Sequence, residues 1–188
     1  VMRNHEIHEG SPVDAALGFA DDRGGGVTRL VVDRASGTLR SSNFVLTGTS
    51  RNCAGGPSPY GWLSCEEVDE SGHGFVFLCD VSASELQAPH RLPALGRFSH
   101  EAAAFDAKTG ITYLTEDTSD SAIYRHVPNH TTRPFVGGEL QALKVSGKDR
   151  FMLSEGCKVG EAFNVEWVSV PDPQALKTST RDQAHNAG

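Results

Sequence analysis

An aspartate that closes a short apolar run and is followed four residues later by glycine occurs twice in the chain, at Asp33 to Gly37 and at Asp106 to Gly110. Each time the preceding residues are β-branched or small and apolar, and a second short apolar run follows, from Leu39 and from Ile111 respectively. An Asp carboxylate can accept the amides of a turn and Gly tolerates the left-handed conformation. Both segments therefore predict tight hairpins between antiparallel strands. Further short strands are predicted at residues 74–80, 122–127, 140–145 and 165–170, each bounded by Gly, Pro, Asn or Asp. A helical period is weak everywhere and confined to residues 12–19 and 172–183.

Many short strands joined by Gly/Asp turns predict an all-β chain, a propeller or a sandwich. At roughly 40 to 50 residues per propeller blade, the 188 residues give about four blades of antiparallel strands in a single domain over residues 1–188. The polar, small-residue-rich stretch 177–188 reads as a frayed or disordered end.

Charge narrows the function classes. With 24 Asp and Glu against 17 Lys and Arg, the formal charge is −7, which argues against a partner rich in phosphate backbone such as nucleic acid. No apolar run approaches the roughly 20 residues that a membrane-crossing helix requires, so no membrane partner is expected. Cys53, Cys65, Cys79 and Cys157 form no CxxC pair, so neither a zinc ribbon nor a disulfide framework is signalled. The Gly24-Gly25-Gly26 run lacks the Lys-Ser/Thr of a P-loop, and no Gly-x-Ser-x-Gly elbow is present.

The most chemical stretch runs from Asn52-Cys53-Ala54-Gly55-Gly56 through Pro59-Tyr60-Gly61-Trp62-Leu63-Ser64-Cys65-Glu66-Glu67. A Gly/Pro loop delivers a short strand ending in a thiol and paired carboxylates. Side chains alternate along a strand, so Cys65 and Glu66 reach one site only if the strand stops there; otherwise Cys65 is a structural thiol beside a solvated acidic pair. Carboxylates also sit at other strand ends: Glu6 after Asn4-His5, Glu101 after His100, and Glu116-Asp117 after Thr115. Strands arranged radially would bring these ends together. Carboxylate oxygens suit hard cations, and one thiolate shifts the preference toward a transition metal. His100 reads either as a partner orienting a carboxylate or as a structural hydrogen-bonding group. Arg97 and Arg125 read either as phosphate clamps or as surface residues.

Together, Asn4-His5-Glu6, the Asn52 to Glu67 stretch, His73-Gly74-Phe75-Val76-Phe77, Gly96-Arg97-Phe98-Ser99-His100-Glu101, Tyr113-Leu114-Thr115-Glu116-Asp117, Tyr124-Arg125-His126-Val127-Pro128 and Gly138-Glu139-Leu140-Gln141-Ala142-Leu143-Lys144-Val145 resemble the PhoX-type alkaline phosphatases. The order and spacing persist from about residue 4 to residue 173. The resemblance implies a β-propeller, here partial because family proteins are considerably longer. It implies a central site of ferric iron (Fe3+) and calcium (Ca2+) that hydrolyses small-molecule phosphate monoesters, in a protein exported to the periplasm or beyond. It also implies Cys65 as the thiolate ligand and Glu66, Glu101, Glu116 and Glu6 as carboxylate ligands, with Glu67 and Asp117 as either ligands or supporting residues. The rival expectation is a catalytically incomplete propeller fragment that binds metal or presents loops to a partner. A third expectation, a disulfide-linked adhesive module, requires Cys65 in a disulfide.

Overall fold

The computed structural model describes residues 1–187. Among these residues, eleven strands form three antiparallel sheets. The first sheet is ordered β1 (Met2–His5), β2 (Gly25–Val32), β3 (Leu39–Thr49); the second is β4 (Asn52–Ser58), β5 (Gly61–Glu66), β6 (Val76–Cys79). The third runs β11 (Val165–Val170), β10 (Gly138–Val145), β9 (Ile123–Pro128), β8 (Thr112–Glu116), β7 (His100–Phe105). Among the described residues, helix is confined to a 3-10 turn at Pro93–Leu95 and to α1 (Leu153–Gly156) and α2 (Thr180–Ala187). The all-β expectation holds, but three sheets stand where about four blades were expected, because β10 and β11 extend the sheet of β7 to β9.

The two predicted hairpins form for the reason their sequences suggest. Asp33 Oδ1 accepts the amides of Ala35 and Ser36 at 3.1 and 2.9 Å, and Gly37 turns at φ +70°. Asp106 Oδ1 accepts the Lys108 amide at 2.9 Å, and Gly110 turns at φ +76°.

Alternation along the middle sheet builds two cores. Leu63, Cys65 and Val76 face the third sheet and pack with Leu92, Leu95, Phe98, Ala103, Leu114, Tyr124, Leu140 and Val170. On the other face Phe75, Phe77 and Cys79 pack with Val27, Val45 and Leu46 of the first sheet. Burying a side chain of this size removes it from water at a gain of roughly 1.5–3 kcal/mol, so the sheets cohere through their faces.

The second and third sheets also touch backbone to backbone. A Cβ on Gly56 of β4 would lie 1.8 Å from the Ala103 carbonyl oxygen of β7, a distance no side chain tolerates. Glycine is therefore required at this crossing.

The 177–188 stretch, expected to fray, instead carries α2 as far as Ala187. Its Thr180 is buried against Tyr124 (Oγ1 to OH 3.0 Å), and Asp172 and Gln183 exchange hydrogen bonds at 2.8 and 2.9 Å. Gly188 lies outside the described residues.

Candidate metal centre

Antiparallel pairing places the end of β1, the start of β4, the end of β5, the start of β7 and the end of β8 along one rim. His5 pairs with Gly26, Asn52 with Glu66, and His100 with Glu116. Five donors gather there. Glu6, Glu67 and Asp117 each sit one residue beyond the end of a strand. Cys53 and Glu101 sit second in β4 and β7, and both fall inside register shifts, between Asn52 and Gly55 and between His100 and Ala103. A bulge inserts an unpaired residue and re-aims its side chain, which is what turns Cys53 and Glu101 onto the rim.

The donors form two triplets that share one member. Ligand atoms of Glu6, Cys53 and Glu67 lie within 4.8 Å of one another, and so do those of Glu67, Glu101 and Asp117. Cys53 Sγ approaches Glu101 Oε1 to 3.7 Å. Backbone bonds hold the loop donors: the Glu67 amide donates to the Arg51 carbonyl (2.9 Å) and the Asp117 amide to the Ser99 carbonyl (3.0 Å). Partial burial, a bond to Glu67 and the charges of Glu101, Glu67 and Glu6 push the Cys53 thiol up to about 12. Burial, with Asp117 and the neighbouring carboxylates, raises Glu67 as well. Four carboxyls and a thiol this close repel one another in their charged forms, and a cation among them reverses both shifts. The donor set therefore fits bound metal: one triplet includes sulfur and the other is all oxygen.

The family described as alkaline phosphatase PhoX matches residues 34–187. The chain belongs to this family. Its fold also resembles a PhoX from Pseudomonas fluorescens solved in complex with vanadate, a transition state analogue, with a TM-score of 0.51 and 17% identity. That likeness covers 89% of this chain and 40% of the Pseudomonas one. No curated protein matches the chain. The three sheets are thus part of a PhoX-like β-propeller. No helix of the described residues is long and apolar enough to cross a membrane.

Within this PhoX-family fold the residues expected at the site divide sharply. Glu101 and Glu6 stand in the rim cluster. Cys65 does not: β5 continues through Glu66, so Cys65 keeps the parity of Leu63 and lies fully buried in the apolar core, where burial pushes its thiol far up. Glu66, of opposite parity and also fully buried, accepts the amides of Ser50 (2.8 Å), Gly74 (2.9 Å) and Phe75 (3.1 Å) and pairs with His73 Nδ1 at 2.8 Å. Its acceptor sites are occupied by the fold. Glu116 points away from Asp117: it pairs with Arg181 of α2 at 3.2 Å and accepts from the Ala122 amide and the Tyr124 hydroxyl. Burial still raises its carboxyl to about 6 against the opposing pull of Arg181.

The accessory residues are likewise committed elsewhere. His100 is buried, bonded to the Gly96 carbonyl and packed at a tilt on Phe98 with ring centroids 3.7 Å apart. Arg97 ties the 69–70 loop to the carbonyls of Gln174 and Ala175. Arg125 bonds Gln141 and lies over the Trp167 ring. Among the described residues all four cysteines are free thiols. Cys53 stands in the motif that carries the resemblance but is given no ligand role by the sequence, although Gly55 and Gly56 behind it carry the signal of a bulge and a close backbone approach. A cavity of about 810 Å³ opens between β10, α2 and residues 148–154, but none of the rim donors lines it.

Proposed function

We propose that the rim is the metal centre of a phosphomonoesterase. Cys53, Glu67, Glu101, Asp117 and Glu6 are its ligands, in place of the set containing Cys65, Glu66 and Glu116. The observation that carries this reading is the convergence of the two triplets from five strand ends. The sulfur-containing triplet of Glu6, Cys53 and Glu67 suits ferric iron, whereas the all-oxygen triplet of Glu67, Glu101 and Asp117 suits calcium. Glu67 belongs to both triplets and would serve the cation held by either. Cations held there would polarise a phosphoryl oxygen and offset the charge that builds up as the ester bond breaks. The Pseudomonas fluorescens PhoX structure holds vanadate, a transition state analogue, which supports extending phosphoryl chemistry to this chain. Small-molecule phosphate esters are the substrate class. The same membership supports an exported protein, periplasmic or secreted.

A second reading is favoured by one observation: the chain spans only 40% of the Pseudomonas protein. On this reading the segment binds metal and presents its rim without turning over an ester by itself. Elemental analysis of purified protein, with hydrolysis of a chromogenic phosphate ester before and after chelation, separates the two. Bound iron with chelator-sensitive turnover supports the phosphatase. Bound metal without turnover supports the second reading, and a folded, metal-free chain that gains no metal on titration removes both.

A further inference from the structure

The register shift between Asn52 and Gly55 leaves the carbonyls of Cys53 and Ala54 outside the regular β4–β5 ladder. A part-buried carbonyl without a partner is costly, so something must donate to them. Asn4 does. Its Nδ2 donates to the Cys53 carbonyl at 3.1 Å and to the Ala54 carbonyl at 2.6 Å, using both amide hydrogens. Its Oδ1 accepts from Trp62 Nε1 at 2.9 Å and from Ser64 Oγ at 3.1 Å. All four hydrogen-bonding capacities of the side chain are used, which fixes its orientation. The chain of bonds continues inward: Ser64 Oγ accepts from Asn52 Nδ2 at 2.9 Å, and Asn52 Oδ1 accepts from the Thr49 hydroxyl. A polar line therefore runs from β3 through β4 and β5 to Asn4 on β1 and ends on the peptide that carries the thiol.

We propose that Asn4 is the positioning residue for Cys53: by holding the two bulged carbonyls it keeps the thiol turned onto the acidic rim rather than back toward the core. The proposal rests on the reading of Cys53 as a metal ligand and adds the device that aims it. Asn4 bonds to the peptide carbonyl of Cys53 and not to its thiol, so it acts through the backbone of the bulge. Supporting groups of this kind govern the affinity of the ligands behind which they stand, typically by about 10- to 100-fold.

The test uses Co2+ as a spectroscopic probe, because a cobalt-bound thiolate has a near-ultraviolet charge-transfer band. Wild type should bind Co2+ with that band, and Cys53→Ser should lose it. Asn4→Ser should bind Co2+ about 10- to 100-fold more weakly per folded molecule, with the band reduced or shifted. Cys65→Ser, whose thiol packs in the core although Glu101 and Cys53 are near enough to be felt by it, should leave the charge-transfer band in place. If Asn4→Ser does not fold, Trp62→Phe removes one of the bonds that orient Asn4 and should produce a smaller change of the same kind. In metal-free protein, alkylation of Cys53 by iodoacetamide should change rate several-fold in Asn4→Ser. Unchanged cobalt affinity, band and alkylation rate in folded Asn4 and Trp62 variants would overturn the proposal. Failure of wild type to show the cobalt band would instead remove the metal reading, leaving the alkylation rate to decide the role of Asn4.

Discussion

The two cysteines near the rim should respond in opposite ways to the same substitution. Cys65 is fully buried among Leu63, Val76, Phe98 and Leu114, with no hydrogen-bond partner among the described residues. Cys65→Ser places a hydroxyl in that apolar setting, at a cost of about 1–3 kcal/mol. For a domain of this size each kcal/mol shifts the melting temperature by roughly 2–4 °C, so a fall of about 5 °C is expected. Cys53 is only half-buried and lies on a polar rim, 3.7 Å from Glu101. Cys53→Ser should cost less than about 1 kcal/mol, within the range of ordinary exposed substitutions, while iron binding is lost. The assays are thermal unfolding of metal-free protein and metal content after saturation and desalting. If Cys65→Ser strips the iron and Cys53→Ser keeps it, the parity argument that places Cys65 in the core is refuted.

Removing the Glu66 charge tests a buried, fully bonded carboxylate: Glu66→Gln should destabilise the fold by about 3–5 kcal/mol without changing metal stoichiometry, read by urea unfolding and elemental analysis. Gly56→Ala drives a methyl into the Ala103 carbonyl, so soluble yield should collapse, whereas alanine at the exposed residue Ser36 should be tolerated. Mild acid should weaken the protein through its buried histidines. Burial holds His100 down at about 3 and His126 at about 4, so the unfolded chain takes up their protons first and stability falls as pH drops below about 6.5. Two such groups give at most about 2.7 kcal/mol per pH unit, offset in part by Glu116; His100→Gln should lower the net slope in urea midpoints measured from pH 7.5 to 5, and an unchanged slope would refute the assignment. Glu116 works the other way, since its raised carboxyl favours folding at low pH and costs stability as pH rises through about 6; Arg181→Met should therefore lose more stability at pH 8 than at pH 5.

Local chemistry was readable from the sequence and partner-dependent geometry was not. The turns at Asp33 and Asp106 depend on residues within four positions of one another, so their conformations could be inferred directly. The acidic strand ends were also visible. What could not be read was which member of each acidic pair faces outward. That depends on whether β5 stops before Glu66 and whether β8 stops before Glu116, and on the two register shifts that aim Cys53 and Glu101. Each of these is set by the strand across the ladder. Glu116 is a second instance: the group that claims it, Arg181, comes from a helix 65 positions later that a reading of composition took for a loose end.

The crossing of Gly56 over Ala103 has a further consequence. Three residues from it along one strand is the Cys53 sulfur, and two residues from it along the other is the Glu101 carboxylate, 3.7 Å from that sulfur. Their spacing is thus inherited from peptide planes in contact, which are stiff, rather than from rotamers that must freeze when an ion arrives. On the proposed reading, an ion entering the rim would meet a gauge already cut to size.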